Sequence, residues 1–512
     1  MSNKFLILLT VVFFVFNIAC NTESTDKTQP NIIYILADDL GYGELGAYGQ
    51  KLIETPNIDR LAVEGMRFTQ HYAGAPVCAP SRYVLLTGKH LGHAYIRGND
   101  EWGERGEVWN FEAAVNDPNL EGQRPIPANT KTIGKILQDN GYTTGCIGKW
   151  GLGAPFSEGT PNKQGFDFFY GYNCQRQAHT YYPKHLWKNE EKVLLNNPLV
   201  APHTNLDSLA DPYNPESYSN FNLEDLSTEL MQNEVLDFIE QNQDKPFFLL
   251  YASPIPHAPL QAPDDWVKYY QEKFGKEEPY LGNKGYFPNL TPKATYAAMI
   301  SHLDEQVGEL VTKLKELGLY ENTIIIFSSD NGPSYAGGAD PVYFNSAQPF
   351  RGEYGRGKGF VYEGGIRVPM IVSWPGKIEA GSESQHISSF YDVLPTICDL
   401  SDSDSPDSID GISFTPTLLN NTSQKTHDFL YWDFPEYGGQ QAVRMGKWKG
   451  VRRDIKKGNL GIELYDLSND ILEEHNIADQ HPEIVKKVED IMMQEHTIAE
   501  IERFRMPALG DK

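Results

Sequence analysis

The chain has 512 residues, 40% apolar and 22% charged, which suits a packed protein of one large domain with a smaller companion and argues against a disordered chain. No fixed-period repeat, collagen pattern or heptad run is present, so a fibre or solenoid is excluded. With 44 Lys+Arg against 69 Asp+Glu the net charge is −25. Such a field disfavours nucleic acid as a partner, and any anionic substrate must meet cations placed locally.

In chain order, Lys4 precedes an unbroken apolar run from Phe5 to Phe16, followed by Asn17-Ile18-Ala19-Cys20. The run is short for a membrane span and has the flanks of an export signal. Ala19 before Cys20 is similar to the bacterial lipoprotein cleavage box. Residues 1–19 therefore read as a lipoprotein-type signal peptide, Cys20 as the lipidated residue, and 20–30 as a tether. The expected location is the periplasm or the outer-membrane or cell surface, with the membrane touched only through the lipid. An ordinary secretory signal with Cys20 incidental is the alternative. Cys78, Cys146, Cys174 and Cys398 are scattered, without metal-ligand spacing. Cys146 is expected buried in a strand and Cys398 in a helix.

Asn31–Ala37, Thr143–Ile147, Pro246–Ala252, Thr323–Ser328 and Met370–Ser373 are nearly continuous apolar or β-branched runs, the pattern of parallel strands buried on both faces. A helix is predicted from Pro292 to Leu317, with Thr291 as N-cap and Gly318 as its stop. The expected fold class is α/β: residues 31–425 form a large mixed, mostly parallel sheet sandwiched by helices, with site loops at the strand C-termini. Residues 426–512 read as a smaller α+β domain, with strands at Phe429–Phe434, Gln441–Val451 and Ile462–Leu467 and a helix at Glu483–Glu495. Segments 98–130 and 154–222 show little periodicity and read as long functional loops.

Asp38-Asp39 follow the first strand directly, and Asp330-Asn331-Gly332 follow the fourth. Three carboxylates and one amide oxygen at two strand ends make a hard oxygen site suited to Ca²⁺ or Mg²⁺ rather than zinc. Each pair by itself is also a common turn.

The most specific motif is Cys78-Ala79-Pro80-Ser81-Arg82, continued by Leu86-Thr87-Gly88-Lys89. It resembles the signature of the formylglycine-dependent (type I) sulfatases, in the alkaline-phosphatase-like superfamily: Cys-x-Pro-Ser-Arg followed by Leu-Thr-Gly. Asn31–Gly43, Thr55–Phe68, Gly148–Trp150, Pro254–Pro259, Phe327–Pro333, Tyr362–Pro369 and Leu464–Leu467 match too, so the resemblance spans residues 30 to 495.

The resemblance implies that a separate maturation enzyme oxidises Cys78 to formylglycine. One hydroxyl of the hydrated aldehyde then attacks the sulfur of a sulfate ester, and the other collapses back to aldehyde to release sulfate. It also implies Asp38, Asp39, Asp330 and Asn331 as Ca²⁺ ligands, joined by modified Cys78, with Mg²⁺ the lesser expectation. Arg82 and Lys149 would hold the nucleophile, His257 would serve as general acid for the leaving alcohol, and Lys358 would clamp sulfate. Glu363 and Arg367 read as a structural pair.

Many sulfatases carry Gly-Lys-Trp-His-Leu-Gly, whereas this chain reads Gly148-Lys149-Trp150-Gly151-Leu152-Gly153. His179 is expected to reach into the space of the absent histidine, or else to bind substrate. The stretch Gly148–Tyr182 is similar to bacterial carbohydrate sulfatases, which implies a sulfated carbohydrate, polysaccharide or oligosaccharide, as substrate. Arg97, Asn99, Asp100, Gln175 and Arg176 are then expected to contact it. Two alternatives stand: a phosphatase or phosphodiesterase of the same superfamily, and a catalytically impaired surface glycan-binding lipoprotein.

Overall fold

Strand β1, Asn31–Ala37, is buried at every position, so both of its faces must be covered. It sits at the centre of a ten-stranded sheet in the computed structural model, which describes residues 29–512. The expected signal peptide, the lipidated Cys20 and most of the tether lie outside the described residues. Strands β2 (Thr143–Lys149), β3 (Phe247–Ala252), β4 (Thr323–Ser329) and β5 (Met370–Ser373) fill the middle of the sheet in the order β5-β4-β1-β3-β2.

β1 pairs in parallel with β3 and β4, and β2 in parallel with β3. Two large clusters of apolar side chains cover the two faces, one including Ile32 and Tyr34, the other Ile33 and Ile35. This alternation follows from the two-residue period of a strand. The expected large, mostly parallel sheet is thus observed.

β5 departs from expectation, since it runs antiparallel to β4. The chain between them contains only one helical turn, Glu363–Ile366, and stays near the C-terminal end of β4, where Gly332 N–H donates to Gly365 O. A parallel return needs a full crossover, and none is present.

The long helix α2 spans Pro292–Glu316, buried along Ile300, Leu303, Val307, Leu310 and Leu314. Thr291 does not cap it through its side chain; its hydroxyl accepts from Gln271 Nε2 instead. Glu277 takes the capping role, accepting from the Lys293 and Ala294 amides at 2.6 and 3.0 Å, where the helix N-terminus favours a carboxylate. The loops also hold more structure than their composition suggests. Phe111–Asn116 is helical, and Phe168–Tyr172, His185–Lys188 and Glu191–Leu194 extend the large sheet.

The C-terminal sheet has four antiparallel strands, Leu430–Phe434, Gln440–Met445, Trp448–Arg453 and Ile462–Asp466. The expected single strand Gln441–Val451 is a hairpin, because Gly446 adopts φ +56° and turns the chain between Met445 and Trp448. Helix Pro482–Glu495 packs Val488 and Met492 on Tyr431, Val443 and Leu464. Cys146 and Cys398 are buried as expected. Among the described residues no helix is long and apolar enough to cross a membrane.

Candidate active site

β1 and β4 are adjacent, parallel and in register, with Ala37 opposite Ser329. Their next residues therefore emerge at one place. Asp39 N–H donates to Asp330 Oδ1 at 3.1 Å, and Asn331 Nδ2 donates to Asp39 Oδ1 at 2.8 Å. Both acidic pairs are buried.

Cys78 opens helix α1, Cys78–Thr87, and its Sγ lies 3.4 Å from Asp38 Oδ1. One turn further on, Arg82 donates from Nε and Nη2 to Asp330 Oδ2 at 3.0 and 2.8 Å, and from Nη1 to Lys149 O. Lys149 ends β2, placing its Nζ 2.5 Å from Asp38 Oδ2 and 3.5 Å from Cys78 Sγ. Lys358 approaches from the loop after β4, 2.6 Å from Asp39 Oδ1 and also 3.5 Å from Cys78 Sγ. His257 Nδ1 lies 2.5 Å from Ala258 O, and Nε2 lies 3.8 Å from Asp39 Oδ2. A protonated Nδ1 donating to that carbonyl leaves Nε2 as the working nitrogen.

The charges set one another. Burial pushes the Asp38 carboxyl up, but Lys149, His257, Arg82 and Lys358 outweigh it and hold Asp38 well below the usual carboxylate range. Burial and the neighbouring Asp38 push Asp330 up to about 6. The Cys78 thiol is pushed up to about 12, by burial first and then by Asp38. His257 is held well below the usual range by burial, Lys358 and Lys149.

Asp38, Asp39, Cys78 and His257 each offer a ligand atom within 4.8 Å of the others, and Asp330 and Asn331 adjoin them. Asn331 Oδ1 is buried without a partner. Three converging carboxylates and an orphaned amide oxygen fit a hard divalent cation.

The other expected contacts divide. Asn99 Oδ1 accepts from Ala79 N–H, beside Cys78, and from Gln175 Nε2, both at 3.1 Å. Arg176 lies over the Trp109 ring, 4.9 Å from its centre. Arg97 and Asp100, expected to bind sugar, are committed elsewhere. Arg97 donates to Asp433, Thr497, Gly92 and Ala94, and Asp100 pairs with Arg124 and Arg503. These are full sets of bonds that tie the loop to the C-terminal segments.

His179 lies in the active-site region, where His257, Lys149 and Lys358 act on its charge. It stacks on His257, ring centres 5.4 Å apart and planes 14° from parallel, and Gln175 fills the place at Gly151.

Sequence reasoning missed His203 and Tyr286. Tyr286 packs its ring 5.1 Å from His179 and 5.7 Å from His257, and its N–H donates to His203 Nδ1 at 2.7 Å. The only trace in the sequence is the pair Gly282 and Gly285, both at φ +86°, just before Tyr286.

The sulfatase family model matches residues 30–403, and the model for the C-terminal part of N-sulphoglucosamine sulphohydrolase matches residues 352–498. Arylsulfatase A of Homo sapiens is 31% identical over 500 residues, covering 91% of this chain and 87% of its own. N-acetylgalactosamine-6-sulfatase of Rattus norvegicus is 32% identical over 428 residues, covering 82% and 71%. Among solved structures, Ps i-CgsB aligns with TM-score 0.71 at 27% identity over 92% of this chain and 94% of that one, and its complex with k-i-k-neocarrahexaose gives the same values. A phosphonate monoester hydrolase of Agrobacterium radiobacter, TM-score 0.59 and 20% identity over 91% and 96%, shares the fold alone. Sulfatase relatives matched along nearly the whole described chain, with the signature cysteine among buried cations and carboxylates, lead to one conclusion: the chain belongs to the sulfatase family, hydrolases of sulfate esters with the alkaline-phosphatase-like fold.

Proposed function

We propose that this protein is an exported carbohydrate sulfatase, removing sulfate from a polysaccharide or its oligosaccharide fragments with a formylglycine made from Cys78 and a bound Ca²⁺. The observation that carries the reading is the setting of Cys78: Sγ lies 3.5 Å from both Lys149 Nζ and Lys358 Nζ, yet the thiol is pushed up to about 12. A neutral buried thiol is a poor nucleophile. A site built for anions around an inert sulfur makes sense if residue 78 is chemically converted by a maturation enzyme. Formylglycine would supply an oxygen nucleophile and an exit for sulfate at this position, and Ca²⁺ held by Asp38, Asp39, Asp330 and Asn331 would supply Lewis-acid polarisation.

The chain's own residues supply the rest. Lys149 and Arg82 fix the Asp38 and Asp330 carboxylates beside residue 78. Lys358 stands where a sulfate oxygen would need a cation. His257, its Nδ1 engaged by Ala258 O, keeps Nε2 for the leaving alcohol, and bound sulfate would offset Lys358 and Lys149 so that Nε2 carries the proton it must give. A carbohydrate substrate is supported by the polar side chains near residue 78, Asn99 and Gln175, and by the saccharide named with Ps i-CgsB. Export and lipid anchoring rest on the N-terminal apolar run and Ala19-Cys20.

The test is sulfate release across a panel of regioisomeric sulfated saccharides by protein matured with a formylglycine-generating enzyme and given Ca²⁺. Release from one regioisomer, abolished in Cys78→Ala, is expected. Hydrolysis of simple aryl sulfates with the whole saccharide panel untouched would overturn the carbohydrate reading. Cys20→Ala is expected to move the protein from the membrane fraction to the soluble one.

A further inference from the structure

The loop from Arg97 to Glu101 has anchors and free groups. Arg97 and Asp100 are the anchors, bound to Asp433 and Thr497 and to Arg124 and Arg503. Asn99, between them, is bonded to Ala79 N–H and Gln175. Glu101 is different: among the described residues its carboxylate makes no hydrogen bond and no ion pair, and Oε2 is buried without a partner. Burial pushes Glu101 up to about 7, against the pull of Arg176.

A carboxylate oxygen buried and left unsatisfied is costly, and a ligand that donates to it would remove that cost. Arg176 directly follows Gln175, which is bonded to Asn99, and it is also under-used. It spends one N–H on Val108 O at 3.3 Å, and among the described residues no ion pair joins it to Glu101. Its guanidinium covers one face of Trp109, an indole that is 66% exposed.

We propose that Glu101 and Arg176, whose guanidinium rests on Trp109, form a subsite that recognises a free hydroxyl on a sugar ring beside the reacting sulfate. This deepens the carbohydrate reading and rests on it. A hydroxyl is the group that suits this gap, because it donates to Glu101 while accepting from Arg176. Asn99 and Gln175 connect the subsite to the residue beside Cys78, so ring and sulfate are read by one continuous wall. A second sulfate on that hydroxyl would remove its donor and set a negative charge against Glu101. The subsite therefore selects sugars with a free hydroxyl there over polysulfated ones.

The experiment uses matured enzyme and the sulfated saccharide that the panel identifies. It compares that saccharide with two analogues, one with the hydroxyl next to the sulfate replaced by hydrogen and one with it sulfated. Because more than one hydroxyl can adjoin the sulfate, each is replaced in turn. Wild type is expected to lose about 10- to 100-fold in kcat/KM on the analogue lacking the read hydroxyl and on its sulfated counterpart, mainly through KM. Glu101→Ala and Arg176→Met are expected to lose as much on the parent saccharide, yet to lose nothing further on the deoxy analogue, with no fall in melting temperature and a rise for Glu101→Ala. Equal losses by the variants on parent and deoxy substrate, or no loss on either, would overturn the subsite. A wild type silent on every saccharide would instead overturn the carbohydrate reading itself.

Discussion

A β-carbon built on Gly151 would lie 3.0 Å from Gln175 Cγ, and Gly151 itself sits at φ +77°. A side chain at position 151 would crowd Gln175 and hold the backbone in a strained conformation. Gln175 in turn donates to Asn99, which holds the amide next to Cys78. A histidine at this position would therefore meet both a close neighbour and a left-handed backbone. Gly151→His is expected to cost about 1–3 kcal/mol through overpacking and left-handed strain and to lower activity. Adding Gln175→Gly should recover the packing share only. Thermal melts of the two variants decide it; a single variant as stable as wild type refutes the argument.

The acidic pairs predict a metal response that can be read without turnover. Asp38, Asp39 and Asp330 converge with Asn331 Oδ1 left unpartnered. Ca²⁺ binding only the folded state should raise stability by about 2.7 kcal/mol at 100 times its Kd, and a chelator should reverse the gain. Asp39→Asn and Asn331→Ala should blunt the shift in melting temperature. A wild type whose melting ignores Ca²⁺ would exclude the ion from this site.

How much of this was legible in the sequence depends on range. β1 and the Asp38-Asp39 pair are local: a buried run ends and two carboxylates follow. That Asp330 meets them follows from parallel pairing, which apolar strands make predictable. The direction of β5 was not legible, because it depends on whether residues 330–369 cross the sheet, and no local pattern reports that. Arg97 and Asp100 looked like free polar loop residues, yet their partners, such as Asp433 and Arg503, lie more than three hundred positions away. Glu101 looked no different from its neighbours, and only the packed loop shows it to be without a partner.

Tyr286 and His203 give a third prediction. Both are non-glycine residues at positive φ, +64° and +66°, and the imidazole of one accepts the other's amide N–H. Strained backbone of this kind persists where the surroundings fix it, often at a site of function. His203→Ala removes the acceptor and should let Tyr286 drift from His257. Turnover should fall by up to about 100-fold from that displacement, with little change in KM. His203→Asn, whose amide oxygen can accept, should restore part of it. Equal turnover in wild type and His203→Ala would show that the clasp does not position His257.

The last prediction concerns how the two sheets hold together. Glu363, in the loop after β4, is fully buried and accepts from Lys449 Nζ at 2.8 Å, Arg367 Nη1 at 3.1 Å and Tyr72 Oη at 2.8 Å. Lys449 belongs to strand Trp448–Arg453 of the C-terminal sheet, so the pair joins that sheet to the catalytic loop. Burial pushes the Glu363 carboxyl up, but Lys449, Arg367 and Arg444 outweigh it and hold it at about 2. An unfolded glutamate titrates near about 4.3, so the folded value is the depressed one. Its stabilisation, on the order of 3 kcal/mol, is complete above the unfolded value and drains away as pH falls through the folded one. Glu363→Gln leaves the Lys449 ammonium buried with only Glu473, 3.5 Å away, and should cost about 3–5 kcal/mol at neutral pH. The variant's denaturation midpoint should then fall less steeply than wild type's between about pH 4.3 and 2. Parallel curves across that window would show that another carboxylate carries the acid sensitivity, and that the contact between the sheets does not depend on the Glu363 charge.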